Sequence, residues 1–135
     1  MTVRKFILNM QEQIATEIPS LNSGGCGVFA YLFTKYARIH QFNAEVLNYE
    51  EEDHYRVKFD KFIFDGYSLL NKELDEEPVL MHFTDVEEEA QDAGRWNHRF
   101  DRDYIQRLEE IIAEHFKLYI HEKQRPKGLL SRVFA

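Results

Sequence analysis

The apolar pattern of this chain changes period twice, and no other feature constrains its fold as much. Val3, Phe6, Ile7, Met10, Ile14 and Ile18 recur at helical spacing, and Pro19 ends the run. A second helical run opens at Cys26 and reaches His40, with Phe29, Leu32, Phe33, Tyr36 and Ala37 on its buried side. From Ala44 the period falls to two. Residues 44–49 read as a strand, and residues 54–59 alternate with Tyr55, Val57 and Phe59 on one side. Asp60-Lys61 reads as a turn and residues 62–67 as a returning strand, giving an antiparallel meander. A two-residue loop there pairs Phe59 with Phe62 and Arg56 with Asp65.

Beyond Gly66, residues 79–83 form a further strand candidate entered at Pro78. Residues 87–94 read as an acidic loop or a short exposed helix. The helical period returns over residues 102–122, with Tyr104, Ile105, Leu108, Ile111, Ile112, Phe116 and Tyr119 inward and Asp101 as N-cap. Trp96 reads as an anchor under a loop. The pattern predicts an α+β fold: helices packed on a short antiparallel sheet, with a long C-terminal helix. Residues 1–135 read as one domain, and residues 124–135 as a basic, apolar tail that frays or docks on the acidic body or a partner.

Composition narrows the function classes. Hydrophobic residues make up 44% of the chain, with eleven Phe and seven Tyr, so a packed interior is expected. The net charge is -7 and the pI near 5.4, a balance that repels phosphate backbones and argues against nucleic-acid binding. No apolar run approaches membrane-spanning length, and residues 3–7 are broken by Arg4 and Lys5, so neither a membrane segment nor a signal-peptide core is read. A single cysteine allows no internal disulfide and fits a reducing, cytoplasmic setting.

That cysteine lies in Asn22-Ser23-Gly24-Gly25-Cys26-Gly27-Val28-Phe29-Ala30, after two glycines and at the start of a helix. A thiol so placed faces unpaired backbone N–H groups and the positive end of the helix dipole, and both favour thiolate. The glycines permit unusual backbone angles and close approach of a substrate. The structural alternative is a small buried hydrophobe after a tight turn. His54, at a strand start, falls on the same face as Asp65, one diagonal step away on the next strand. A carboxylate there holds the imidazole's orientation and leaves its other nitrogen for a thiol. The alternatives are a solvated histidine beside the acidic residues 50–53, and an Asp-Gly turn at Asp65-Gly66.

Gly24-Gly25-Cys26-Gly27-Val28-Phe29-Ala30 resembles the nucleophile segment of papain-like cysteine enzymes. The order of cysteine, histidine on a strand and carboxylate on the next strand is similar to transglutaminase-like and NlpC/P60-like members and arylamine acetyltransferases. The resemblance covers residues 20–70. It implies a small papain-like domain whose nucleophile helix packs on an antiparallel sheet. It also implies an acyl-enzyme on Cys26, with His54 as base and Asp65 as orienter. Papain-type sites often carry a glutamine ahead of the cysteine for the oxyanion, and none lies between Gln13 and Cys26. Asn22 is the nearest side-chain amide, equally suited to cap or turn, and the Cys26 N–H stands beside it.

Other constellations lead nowhere. Residues 110–115 lack the first histidine of a zinc-protease helix, and His115 and His121 are six apart. No metal or cofactor is expected. The expected function is cysteine-dependent acyl transfer, as a peptidase, amidase or transglutaminase-like enzyme acting on a protein or peptide. The alternative is a non-catalytic acidic binding module, an inhibitor or adaptor, that presents residues 50–53, 75–77 and 87–89 to a basic partner.

Overall fold

A computed structural model describes residues 1–19, 25–72, 74–91 and 102–124. The elements run α1 (Val3–Glu17), α2 (Cys26–Ile39), β1 (Ala44–Tyr49), β2 (His54–Phe59), β3 (Phe62–Phe64), β4 (Val79–Met81), α3 (Phe83–Gln91) and α4 (Arg102–Gln124). The fold is α+β: among the described residues, four helices and a four-stranded antiparallel sheet of order β3-β2-β1-β4, with α4 the long C-terminal helix.

α2 lies at the centre. It packs on β1 and β2 along one side and on α3 and α4 along others, and it is apolar almost all round because almost every direction meets protein. Phe33 of α2 shows why the layers hold. Its ring lies 5.3 Å from Phe59, 5.0 Å from Phe64 and 4.9 Å from Phe116, so one side chain joins sheet, central helix and α4. Truncating such a fully buried ring to alanine costs about 3–5 kcal/mol. α1 runs antiparallel to α4, tied at one end by the N-terminal amine to Glu122 and at the other by Arg107 to Glu17. No helix among the described residues is long and apolar enough to cross a membrane.

Local chemistry explains the boundaries. Thr2 caps α1 by accepting from the Lys5 N–H. The β1–β2 connection turns on Asp53 and the β2–β3 hairpin on Asp60, both at positive φ, which aspartate tolerates better than most residues. Phe59 pairs with Phe62, as the two-residue loop requires.

Several expectations need correction. β3 ends at Phe64 and does not continue to residue 67, because the Asp65 side chain accepts from the Tyr67 and Ser68 N–H groups and turns the chain. β4 ends at Met81, and the short helix, one of the two options for residues 87–94, begins earlier, at Phe83, and is described to Gln91. Glutamates are good helix formers, Asp85 suits the first turn, and buried Val86 anchors the element. Tyr104 faces solvent rather than the core, at 46% exposure. Asp101, Trp96, residues 92–94 and the tail over 125–135 lie outside the described residues.

Candidate functional site

Cys26 is the first residue of α2, and the preceding Gly25 supplies no side-chain cap. The N-cap position therefore gives the first-turn N–H groups no side-chain acceptor. Gly25 sits at φ -93°, open to any residue, so its backbone freedom is not what the position uses. Gly25 and Gly27 are both buried around a cysteine that is 8% exposed, and the lack of side chains there lets the helix start pack closely.

His54 opens β2 and Asp65 follows β3. The diagonal step across the hairpin brings His54 Nε2 to 2.7 Å from Asp65 Oδ2. Cys26 lies close enough to the same imidazole for each to shift the other's titration, and because Nε2 is occupied, Nδ1 is the nitrogen left for a thiol. The Cys26 sulfur also receives the backbone N–H groups of Tyr55 and Gly27. One donor comes from a strand and one from the helix start, so the thiol sits where α2 meets β2.

Asp65 performs two tasks with two oxygens. Oδ2 faces His54. Oδ1 accepts from the Tyr67 N–H at 2.9 Å, the Ser68 N–H at 2.8 Å and the Ser68 hydroxyl at 3.0 Å. The turn reading and the orienter reading of Asp65-Gly66 are thus compatible in one residue. Gln11 of α1, 5% exposed, donates from Nε2 to the Asp65 backbone carbonyl at 2.8 Å. The Tyr67 hydroxyl donates to the Ile18 carbonyl, so α1 holds this turn at two points.

The three groups shift one another. Burial pushes the Cys26 thiol up. The hydrogen bond with His54, the Tyr55 N–H, the His54 charge and the Gly27 N–H outweigh it, so the thiol titrates below its ordinary value. His54 is raised to about 9, first by its hydrogen bond to Asp65 and then by that to Cys26, against burial. Burial also pushes Asp65 up, but the His54 hydrogen bond and the Tyr67 and Ser68 N–H groups overcome it and hold the carboxyl below its ordinary value. The arrangement favours a thiolate–imidazolium pair backed by a carboxylate. Lowering the thiol favours the nucleophilic thiolate, and an imidazolium beside it is a proton donor.

Asn22 lies outside the described residues. Gln11, Tyr67 and Ser68 were not singled out from the sequence. A signal existed for Gln11, which falls on the stripe of Ile7, Ile14 and Ile18 where an apolar residue is expected. Among the described residues no group of three His, Cys, Asp or Glu side chains is arranged to hold a metal ion. Comparison with protein-family models, curated proteins and solved structures finds no match.

Proposed function

We infer that the protein is a cysteine-dependent acyl-transfer enzyme of papain-like type, akin to the transglutaminase-like and NlpC/P60-like members in its Cys-His-Asp order. The observation that supports it is the single imidazole hydrogen-bonded through Nε2 to Asp65 and near enough to Cys26 for each to shift the other, with both acids shifted toward their charged forms. Ion pairs buried only for stability are poor investments, since desolvation offsets much of the attraction. A pair that includes the only thiol of the chain at a helix start has a chemical use.

In this reading Cys26 Sγ attacks an amide or ester carbonyl, forming a C–S bond while the carbonyl π electrons move to oxygen. The Cys26 N–H at the helix start stabilises that oxyanion, and Asn22 is the candidate second donor. His54 gives its Nδ1 proton to the leaving amine or alcohol as the bond to it breaks. The acyl group remains on sulfur. Water or a second amine then attacks, His54 takes its proton, and thiolate leaves. Asp65 keeps the ring oriented and its charged form favoured throughout.

Alkylation of Cys26 by iodoacetamide, followed by mass spectrometry across pH, tests this reading. Rapid modification below pH 7 that is lost in His54→Ala is the expected result. Slow modification in both proteins until they unfold would make Cys26 a core residue and leave the acidic binding module as the better account. Cys26→Ser should fold normally and lose trapping by an electrophilic acyl probe.

A further inference from the structure

The sheet face turned away from α1, α2 and α4 carries a groove. Ala44 and Val46 of β1 join the helix-side core, so Glu45, Leu47 and Tyr49 point to the other face. Leu70 and residues 74–78 border that face around a cavity of about 540 Å³, within the roughly 300–1,000 Å³ typical of ligand sites. Leu47, Ile63, Leu70, Leu74 and Leu80 make its walls apolar. Its charged lining is one-sided: Glu45, Asp75, Glu76 and Glu77 against Lys58.

One end of this groove reaches the candidate active site. Tyr49 lines the groove and is the direct cross-strand partner of His54, on the same face of the sheet. The other side opens along β4, the sheet edge, where no strand pairs beyond it among the described residues. Leu80 there is 58% exposed. Glu76 is part of this acidic lining. Its Oε2 accepts the Glu51 N–H at 2.9 Å, whereas Oε1 is buried without a hydrogen-bond partner among the described residues. A buried, unpaired carboxylate oxygen is costly unless something donates to it.

We propose that this groove binds a basic, apolar-flanked peptide segment, lying along β4 with leucine-like side chains in the cavity and a lysine or arginine on Glu76, and leads it to Cys26. The acidic lining selects the charge, the cavity selects the flanks, and the strand edge accepts main-chain hydrogen bonds. The delivery step rests on the acyl-transfer reading; the binding step does not.

Binding is measured by fluorescence anisotropy on Cys26→Ser, so turnover cannot intervene. The probe is a fluorescein-labelled Leu-Lys-Leu-Arg-Leu amide, compared with its analogue carrying Glu in place of Lys and Arg. The basic peptide should bind at least ~10-fold more tightly and weaken as salt rises. Glu76→Gln keeps the acceptor for Glu51 but removes the charge, and should weaken binding about 10-fold. Leu80→Asp alters an exposed side chain, leaves folding intact and should weaken binding similarly. Equal affinity for the two peptides, or no effect of Leu80→Asp, overturns the proposal. So does binding that appears only after residues 125–135 are removed, since the occupant would then be the chain's own basic tail. Fast low-pH alkylation of Cys26 without peptide binding would sink the groove alone. Peptide binding without that alkylation would sink the catalytic reading alone.

Discussion

The carboxamide of Gln11 and the backbone carbonyl of Asp65 meet at 2.8 Å inside the protein, joining α1 to a turn 54 residues further along. The carbonyl belongs to the residue whose carboxylate orients His54. Gln11 fixes the backbone from which Oδ2 projects, and in the acyl-transfer reading it is a positioning residue that touches no reacting atom.

Gln11→Leu should lower stability by about 1–3 kcal/mol, the cost of a buried carbonyl left without its donor. It should also shift the pH profile of Cys26 alkylation upward, because a less well-held Asp65 supports His54 less. Thermal melting and the alkylation profile are read on the same samples. A destabilised protein with an unmoved profile would reduce Gln11 to a packing role.

Asp65→Asn separates the two oxygens of that side chain. If the amide oxygen takes the Tyr67 and Ser68 donors, the NH2 group faces His54 Nε2, which must then accept and cannot carry a proton. If the amide turns over, NH2 opposes two backbone N–H groups. Either way one side is mismatched, so a loss of about 1–3 kcal/mol is expected together with a ~10–1,000-fold loss of turnover. Asp65→Ala should cost more on both counts. Wild-type reactivity in Asp65→Ala would remove Asp65 from the site.

The pH dependence of stability carries opposing contributions. His54 has its pKa raised to about 9, so its contribution is complete below the unfolded value of 6.5 and is lost as pH rises toward 9. Cys26 has its pKa lowered from 9.0, so its contribution is present above 9 and is lost as pH falls. The two slopes oppose each other in the wild type. In Cys26→Ser only the His54 slope remains, and stability should fall by about 1–2 kcal/mol between pH 6.5 and 9. His54→Ala in the same background should flatten it. A flat Cys26→Ser profile would show that Asp65 alone does not hold the imidazolium.

Thr34 offers a check on packing away from the site. Its hydroxyl lies in α2, 1% exposed, with no hydrogen-bond partner among the described residues. Thr34→Val removes an unsatisfied polar atom at nearly constant volume and should stabilise the protein by about 1 kcal/mol without altering Cys26 reactivity. A drop in melting temperature would mean that the hydroxyl has a partner after all.

The helices and the β1–β2–β3 hairpins were legible because each rests on a local period or a turn residue: Phe33 and Phe29 at helical spacing, Asp60 in a two-residue loop. The diagonal from His54 to Asp65 followed from that hairpin register. The early end of β3 was not legible, since one carboxylate serves a turn as readily as it extends a strand face. α3 was one of two options, since its glutamates suit a solvated loop and a helix surface alike. Its start at Phe83 was hidden in the strand reading of residues 79–83. Tyr104 shows the limit of periodicity, which marks a stripe but not where the partner layer stops. Gln11 and Ser68 needed distances between segments that no spacing along a single chain encodes.

Cys26, His54, Asp65 and Gln11 all fall within the first half of the chain, whereas Phe116 and Tyr119 of α4 close the core around Phe6 and Phe33. During synthesis every chemical group of the site therefore emerges before the helix that lets α1 and α2 settle. With elongation at roughly 5–20 residues per second, the thiol spends several seconds as an ordinary cysteine. An amino-terminal fragment that stops before α4 therefore carries every residue of the site without the rings that pack α1 and α2 together.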